Sequence, residues 1–306
     1  MSHRLFSSRL LGACVLAAAS AVLAAPSAAT AGPVLDRIKS SGVITFGYRA
    51  SGPPFSYEAA DGRVVGYAID VCQQVAAAIQ QRLGLPKLET RFVPVTPAER
   101  IDKLNSGAID LECAGSTNTK TRREQVAFGL TYYYTSARLL VRQSDGIDAL
   151  EDMTGKRLAV VKGTTAQQVL DARQRRGIGG WLPQVFDSTR AAIAALEQGQ
   201  VDAVIQDDIQ LAPAARQSGG KLVVVGPAMS FEPLSLMLSK TDPELQQQVQ
   251  ADMARLYRDG RMERIYERWF EAPLPDLSYA LDIKLDRLLR DNFRRPSPYV
   301  PDWAVL

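Results

Sequence analysis

Apolar and polar positions alternate along the chain with two periods, one typical of strands and one typical of helices. Residues 43–48 form a short apolar run that predicts a strand. From residue 67 to residue 83 the apolar positions recur every three or four residues, which predicts a helix with one buried face. Further strands are predicted at residues 88–95, 109–111, 158–161, 201–205 and 222–225, and further helices at residues 98–104, 165–172, 190–197 and 243–260. This alternation indicates an α/β fold with parallel sheets, in which ligands lie at the carboxyl ends of strands.

A short internal repeat indicates two similar lobes. Residues 104–110 (LNSGAID) match residues 196–202 (LEQGQVD): each is a helix end, a glycine turn and an aspartate that opens a strand. Junctions of this kind also recur by chance in α/β proteins. Two strand-like stretches, residues 137–142 and 234–239, are expected to carry the chain across and back, and so to form a hinge.

These crossings predict the domain boundaries. Residues 32–139 and 235–306 are expected to form the first lobe, and residues 140–234 the second. The helix at residues 243–260 is assigned to the first lobe. The tail from residue 273, rich in proline and charge, is expected to extend along the surface.

The N-terminal segment has the features of a secretory signal peptide. Arg4 and Arg9 precede an apolar, alanine-rich stretch that ends among small residues at 29–31. Residues 1–31 are therefore expected to be removed, and the mature protein to be periplasmic and soluble. Residues 11–14 (LGAC) resemble the lipobox of bacterial lipoproteins, but few apolar residues separate Arg9 from Cys14, so soluble release is favoured over lipidation.

Removal of that segment excludes several classes of chemistry. The one histidine of the sequence, His3, leaves with the signal peptide, so the mature chain has no histidine base, nucleophile partner or zinc ligand. No metal site is expected. Cys72 and Cys113 remain, and two buried thiols are favoured over a disulfide.

Composition and charge further limit the classes of protein to which this chain can belong. The chain is 46% hydrophobic and 23% charged, which is typical of a globular protein. Its 36 basic and 33 acidic residues give a formal charge of +3, and without Arg4 and Arg9 the balance is 34 − 33 = +1. Nucleic-acid binding is not expected from so small a basic excess.

Three segments carry candidate chemistry. In residues 110–122 a strand ends in glycine and hydroxyl residues, including Ser116 and Thr117, and Arg122 follows; such a loop can bind an anion. A second glycine–threonine turn, residues 163–165, precedes a helix and could bind an anion too. Asp207 and Asp208 end a strand and could bind an ammonium group. The alternatives are ordinary helix caps with a solvated arginine, or carboxylates that serve as acid–base groups or hold a divalent cation.

These segments, with several others, resemble the periplasmic amino-acid-binding proteins of ABC importers, the family 3 extracellular solute-binding proteins. The resemblance covers nearly the whole mature chain and is closest to the glutamate/aspartate-binding branch. It implies a two-lobed type II periplasmic-binding fold with two hinge strands and a ligand between the lobes. The motifs that carry it are GPPFSY (52–57), VGYAID (65–70), GSTNTKTR (115–122), VAF (126–128), LEDMTG (150–155) with VKGTT (161–165), and DAV (202–204) with Asp207.

The resemblance also implies roles for individual residues. The α-carboxylate would bind to Arg122, to Thr117 and to the backbone around Gly115 in the loop that includes Ser116, and the turn with Thr164 and Thr165 would close on it from the other lobe. Asp207 would hold the α-ammonium. Arg49 and Arg100 would face a side-chain carboxylate, because a buried carboxylate needs a cation. The ligand-binding residues predicted in this way are Arg49, Arg100, Gly115, Ser116, Thr117, Arg122, Thr164, Thr165 and Asp207.

The chain departs from the branch pattern at three positions near the side chain of the ligand. Gly115 replaces a serine, Pro97 or Ala98 replaces another serine, and Thr189 lies near the place of a histidine. The expectation of an amino-acid ligand is therefore firmer than that of an acidic one.

The function implied is capture of a polar amino acid, glutamate or aspartate, for an importer whose permease and ATPase subunits are the partners. A monomer without a cofactor or catalytic activity is expected. The rival is a periplasmic cyclohexadienyl dehydratase on the same scaffold, with Glu112, Asp207 or Asp208 as the acid. A receptor as the partner in place of an importer also remains open.

Overall fold

The computed structural model describes residues 32–275 and 279–302, so the predicted signal peptide lies outside the described residues. The strands are β1 (Val43–Tyr48), β2 (Ser51–Gly52), β3 (Ser56–Glu58), β4 (Val64–Val65), β5 (Glu89–Pro94), β6 (Leu111–Thr117), β7 (Ala127–Phe128), β8 (Tyr133–Thr135), β9 (Ala137–Arg142), β10 (Arg157–Val161), β11 (Leu182–Phe186), β12 (Ala203–Asp207), β13 (Leu222–Val225) and β14 (Glu232–Leu238).

Helices separate most of these strands. The α-helices are α1 (Pro33–Ser41), α2 (Tyr67–Arg82), α3 (Arg100–Asn105), α4 (Lys120–Gln125), α5 (Thr165–Arg175), α6 (Thr189–Glu197), α7 (Asp208–Gln217), α8 (Pro243–Arg258), α9 (Arg261–Tyr266) and α10 (Arg287–Arg294). Two short 3-10 helices, Gln143–Asp145 and Leu150–Met153, and a π-helical turn at Glu267–Glu271 complete the list.

The strands form two large mixed sheets and a small one. The first sheet has the order β5–β1–β6–β14–β7, with β8 also paired to β14, and the second has the order β11–β10–β12–β9–β13. On one side of each large sheet, β5–β1–β6 and β11–β10–β12, the strands pair in parallel, as predicted. However, β14 and β9 run antiparallel to their neighbours, which the prediction of purely parallel sheets missed. Strands β9 and β14 each come directly after a segment that crosses between the sheets. The chain therefore enters these two strands in the direction opposite to that of the neighbouring strands.

The stretches predicted to connect the lobes are strands within the sheets. Residues 137–142 are β9 of the second sheet, and most of residues 234–239 belongs to β14 of the first. The chain crosses from the first sheet to the second at Ser136, and back between β13 and β14. The described residues form one compact unit, so the division into lobes at residues 139 and 235 stays a prediction.

The aspartate of the internal repeat makes equivalent contacts in both sheets. The carboxylate of Asp110 accepts a hydrogen bond from the backbone N–H of Thr45 in β1, at 2.8 Å, and pairs with Arg37. Asp202 accepts from the backbone N–H of Arg157 in β10, also at 2.8 Å, and pairs with the side chain of Arg157. In each case the aspartate ties the strand that follows it to the neighbouring parallel strand.

Cys72 and Cys113 form a disulfide, so the preference for two free thiols was wrong. Cys72 lies on the buried face of α2, and Cys113 lies in β6, against which that helix packs. Their Cα atoms are 6.2 Å apart, within the range that a disulfide spans. The pairing depends on which strand the helix covers, and the spacing of the two cysteines in the sequence does not show this.

The C-terminal part returns to the first sheet. Helix α8 buries the predicted apolar stripe in the same core as α1 and α2. The tail is more structured than expected, because α10 packs on α8 and Asn292 donates a hydrogen bond to the carbonyl of Thr131. Within residues 32–275 and 279–302, no helix combines the length and apolar content that a membrane span needs.

The disulfide predicts a measurable contribution to stability. Replacing both cysteines with alanine should lower the free energy of unfolding, because the cross-link closes a loop with a sequence separation of 41 in the unfolded chain. The chain-entropy relation gives an expected loss of about 4 kcal/mol in the free energy of unfolding, and urea unfolding measures this loss. Reduced wild-type protein should match the variant, and a reductant should leave the variant unchanged. Equal stability of the oxidised wild type and the variant would contradict this account.

The aspartate of the second repeat predicts a pH dependence. The hydrogen bond from the Arg157 side chain is the main reason that the pKa of Asp202 falls to about 2. Because the folded pKa lies below the unfolded value of about 3.9, the stabilisation is complete above that value and is lost as the pH falls toward 2. Asp202→Asn should therefore lower the melting temperature at neutral pH, and the difference from wild type should shrink below pH 4. Asp187→Asn, at an exposed carboxylate, is the matched control.

Candidate functional site

A narrow cavity lies between the two large sheets; we call it the site cavity. Two wider clefts adjoin it: one shares Gln210 with it and the other shares Arg49. The site cavity is lined by Arg49, Arg100, Gly115, Thr117, Arg122, Thr164, Thr165, Gln206, Asp207 and Gln210.

Eight of the nine predicted ligand-binding residues are in this lining. The exception is Ser116, whose side chain is buried inside the first sheet and whose hydroxyl donates a hydrogen bond to Glu112 at 2.8 Å. Strand alternation explains this, because Ser116 points to the opposite face of β6 from Gly115 and Thr117. Strand β6 extends to Thr117, so these residues belong to a strand and not to the predicted loop.

The carboxyl ends of parallel strands bring the lining residues together. Arg49 directly follows β1, Thr117 ends β6, and Asp207 ends β12. The turn after β10 leads into α5, where Thr164 caps the helix and Thr165 is its first residue. The expectation that functional groups collect at strand ends holds in both sheets.

Three buried arginines dominate the electrostatics of the cavity. The exposed fractions of Arg49, Arg100 and Arg122 are 8%, 1% and 4%. Among residues 32–275 and 279–302, none of the three forms an ion pair with a carboxylate within 4.0 Å. Nε of Arg49, and Nε and Nη1 of Arg100, have no hydrogen-bond partner within this part of the chain. Buried cationic donors without partners are costly, and an anionic ligand satisfies them.

Arg122 differs from the other two because it joins the sheets. Its Nη1 donates to the carbonyl of Thr117 at 2.9 Å, and its Nη2 donates to the carbonyl of Gly163 at 3.3 Å. It is held by the first turn of α4, where the hydroxyl of Thr119 accepts a hydrogen bond from its backbone N–H. The guanidinium therefore lies where an anion could contact the ends of both sheets.

Burial shifts the pKa values of Arg100, Arg122 and Asp207 in the direction that favours their neutral forms. It lowers the pKa of Arg100, and the positive charges of Arg122 and Arg49 lower it further. Burial also lowers the pKa of Arg122, although the carboxylate of Glu232 opposes this. The pKa of Asp207 is raised well above its usual range, first by burial and then by Glu232. An anion beside the arginines and a cation beside Asp207 would each reverse these shifts.

Glu232 connects three parts of the chain next to the cavity. Its carboxylate accepts hydrogen bonds from Thr117 of the first sheet at 2.7 Å, from Thr165 beside the second sheet at 2.5 Å, and from Ser230 in the crossing segment at 2.6 Å. Glu232 itself is fully buried at the start of β14. The strands that end at the site are thus joined through one carboxylate.

Gly163 allows the closest approach between the two sides. A Cβ atom at this position would lie 2.8 Å from the Cα of Ala98 and 2.9 Å from the carbonyl oxygen of Pro97. Its φ of +76° also favours glycine. The turn after β10 can therefore pack directly on the segment before α3.

Asp207 is oriented by two glutamines. Nε2 of Gln210 donates to Oδ2 of Asp207 at 3.0 Å, and Oε1 of Gln206 accepts from the backbone N–H of Asp207 at 3.0 Å. Nε2 of Gln206 in turn donates to the hydroxyl of Thr189. Thr189 is thus separated from the cavity by the side chain of Gln206. Asp208 points elsewhere and accepts a hydrogen bond from Thr135 of β8.

The sequence prediction missed Gln206, Gln210 and Glu232. Gln210 follows Asp207 by three residues at the start of α7, a spacing that places two side chains on one face of a helix. Glu232 opens an otherwise apolar strand, and an acidic residue in that position is a signal that could have been used.

The lining of the cavity brings together three guanidinium groups and the carboxylate of Asp207. Such a set can bind a ligand that carries both negative and positive charge. The residues described in the structure include no cluster of three or more histidine, cysteine or carboxylate side chains that could hold a metal ion.

Known proteins share both the sequence pattern and this architecture. Residues 44–272 match the family described as bacterial extracellular solute-binding proteins, family 3. The chain belongs to this family. Membership confirms the predicted family and agrees with the expectation of a binding protein that is not an enzyme.

Relatives of this solute-binding protein differ in their ligands. The glutamate/aspartate import solute-binding protein of Salmonella typhimurium is 30% identical over 88% of this chain and 90% of its own. A solved ancestral arginine-binding protein bound to arginine is 30% identical, with a TM-score of 0.68 over 75% of this chain and 98% of its own. A solved ancestral amino-acid-binding protein, a precursor of cyclohexadienyl dehydratase, is 28% identical, with a TM-score of 0.67 over 77% and 98%. These structures confirm the predicted two-lobed type II fold class.

The role of Glu232 predicts a loss of stability on neutralisation. Glu232→Gln removes the charge that three buried hydroxyls donate to, and charge-assisted hydrogen bonds are stronger than neutral ones. The free energy of unfolding should fall by about 2 kcal/mol in urea titrations. Glu197→Gln, at an exposed position of α6, should change it little. Wild-type stability of the Glu232 variant would show that the carboxylate does not join the strands.

Proposed function

We propose that this solute-binding protein captures an α-amino acid with a second carboxylate, glutamate or aspartate, in the site cavity. The captured amino acid would pass to the membrane permease of an ABC importer, driven by its ATPase subunits. The protein would act as an exported, periplasmic monomer.

Two charged groups suit the α-amino-acid part of the ligand. The α-carboxylate is assigned to Arg122, supported by Thr117 and by the first turn of α5 at Thr165. Free N–H groups at a helix start and a guanidinium fork both favour a carboxylate. The α-ammonium is assigned to Asp207.

The proposal of a second carboxylate in the ligand rests on two arginines that have donors without a hydrogen-bond partner among the described residues. With Arg122 assigned to the α-carboxylate, Arg49 and Arg100 still bring two buried positive charges with unpartnered donors. The nearby carboxylate of Glu112 is bound by Ser116 and forms no ion pair with either arginine among the described residues. A ligand side chain with a carboxylate supplies the missing acceptors, whereas a cationic side chain would add a third charge of the same sign. The identity to a glutamate/aspartate-binding relative agrees with this choice.

Binding would hold the two sheets in the closed arrangement. Arg122, Thr165 and Gly163 already make contacts between the two sides, and a ligand that bridges Arg122 and Asp207 adds to them. A ligand stabilises the state for which it has the greater affinity. Closed and loaded protein would then be the form that the permease recognises.

A thermal-shift screen tests the proposed ligand. Refolded, ligand-free protein is mixed with each L-amino acid and with prephenate, and a ligand that binds only the folded state raises the melting temperature. The largest shift is expected with L-glutamate or L-aspartate. A largest shift with neutral or basic amino acids would reject the dicarboxylate pocket. Turnover of prephenate would move the protein to the dehydratase class.

Two arginine variants test the assignment within the cavity. Arg122→Ala should abolish binding of every amino acid, whereas Arg49→Ala should weaken binding of acidic ones by roughly 10- to 100-fold, as expected for a charged hydrogen bond. Dissociation constants for L-glutamate and L-glutamine measure the effect, and Arg287→Ala at an exposed position is the control. Equal losses for both ligands in the Arg49 variant would contradict the side-chain assignment.

A further inference from the structure

Gln210 lines the site cavity and has one polar atom, Oε1, that forms no hydrogen bond with another described residue. Its side chain is 5% exposed and extends from the first turn of α7 into the lining. Oε1 has no hydrogen-bond partner among the described residues, whereas Nε2 has one. A buried amide oxygen in this state requires a donor.

The orientation of the amide follows from Asp207. When Asp207 is ionised, as an ammonium group beside it would favour, its carboxylate only accepts hydrogen bonds, so the group 3.0 Å from its Oδ2 is the NH₂ of Gln210. The carbonyl oxygen of the same planar amide then points away from that bond. Asp207 and Gln210 both line the site cavity, and Oε1 of Gln210 accepts no hydrogen bond from another described residue.

Gly115 provides the space for this amide. A Cβ at position 115 would lie 3.2 Å from Nε2 of Gln210 and 2.8 Å from the ring of Phe55. Phe55 is almost fully buried and packs against Tyr133 and Phe270, so it cannot move aside. A Cβ at position 115 would therefore clash with the ring of Phe55 and press on the amide of Gln210, which would have to shift by a few tenths of an ångström.

We propose that Gln210 is a specificity-determining residue that accepts a hydrogen bond from the α-ammonium of the ligand through Oε1. The other acceptor is Asp207. An ammonium group carries three N–H donors and needs more acceptors than one carboxylate oxygen supplies. The pair selects a primary α-amine over acids that lack one. This deepens the proposed function and rests on it, because it requires an α-amino acid as the ligand.

The test compares ligands with and without the α-ammonium. Dissociation constants are measured by calorimetry for the amino acid with the largest thermal shift, expected to be L-glutamate, and for its deamino counterpart, glutarate. Gln210→Met keeps the length of the side chain and removes both polar atoms. It should weaken L-glutamate binding at least tenfold and change glutarate binding less than threefold. Gln217→Met, the same change at the exposed end of α7, is the matched control.

A further variant separates direct contact from indirect effects. Gln210→Glu keeps an acceptor oxygen but cannot donate to Asp207, so direct contact predicts that the preference for L-glutamate over glutarate is retained at pH 8.

Several outcomes would overturn the proposal. Equal losses for both ligands in Gln210→Met would indicate a structural role. Loss of the preference in Gln210→Glu would show that Gln210 acts only through Asp207. Failure of the wild type to bind any amino acid would overturn the proposed function and this inference with it. Wild-type binding with an unchanged preference in Gln210→Met would overturn this inference alone.

Discussion

Three guanidinium groups, buried between two sheets and without an ion-pair partner in the described part of the chain, are the constraint around which this protein is built. Burial of a cation is expensive, and it lowers the pKa of both Arg100 and Arg122. Charges of this kind persist only where the surrounding structure holds them in place. Here the cost is offset in part by backbone carbonyls, such as those that accept from Arg122, and in part it is left for a ligand to offset. Affinity and specificity would then arise from the same unfavourable feature of the ligand-free protein.

The neighbouring packing keeps these charges in position. Glu232 gathers hydroxyls from both sheets, Gly163 permits contact between backbones, and Phe55 forms a rigid floor beneath Gly115. The disulfide fixes α2 to β6, the strand that carries Gly115 and Thr117. Each of these features restricts the motion of a strand end, and Glu232 also holds the hydroxyls of the lining residues Thr117 and Thr165. The residues packed around the cavity therefore preorganise it.

Much of the fold and most of the site could be predicted from the sequence, for definite physical reasons. The apolar periods located β1, α2 and α8, and the strand-end rule with the family motifs located Arg122 and Asp207. One failure is local: Ser116 is predicted in a loop but lies in β6, where side chains alternate between the two faces. The other failures depend on pairings between distant segments. The disulfide and the antiparallel strands β9 and β14 are set by which strand lies beside which. Local patterns do not contain that information.

The order of the strands along the chain has a consequence for folding. Every strand of the second sheet comes from one continuous segment, residues 137–225, whereas the first sheet needs β14, more than a hundred residues after β6. During synthesis the second sheet can form as soon as its segment is available. The first sheet must wait with an unpaired edge on β6 until the chain returns. Because non-local pairing is slow and exposed edges aggregate, the late arrival of β14 is expected to limit the folding rate.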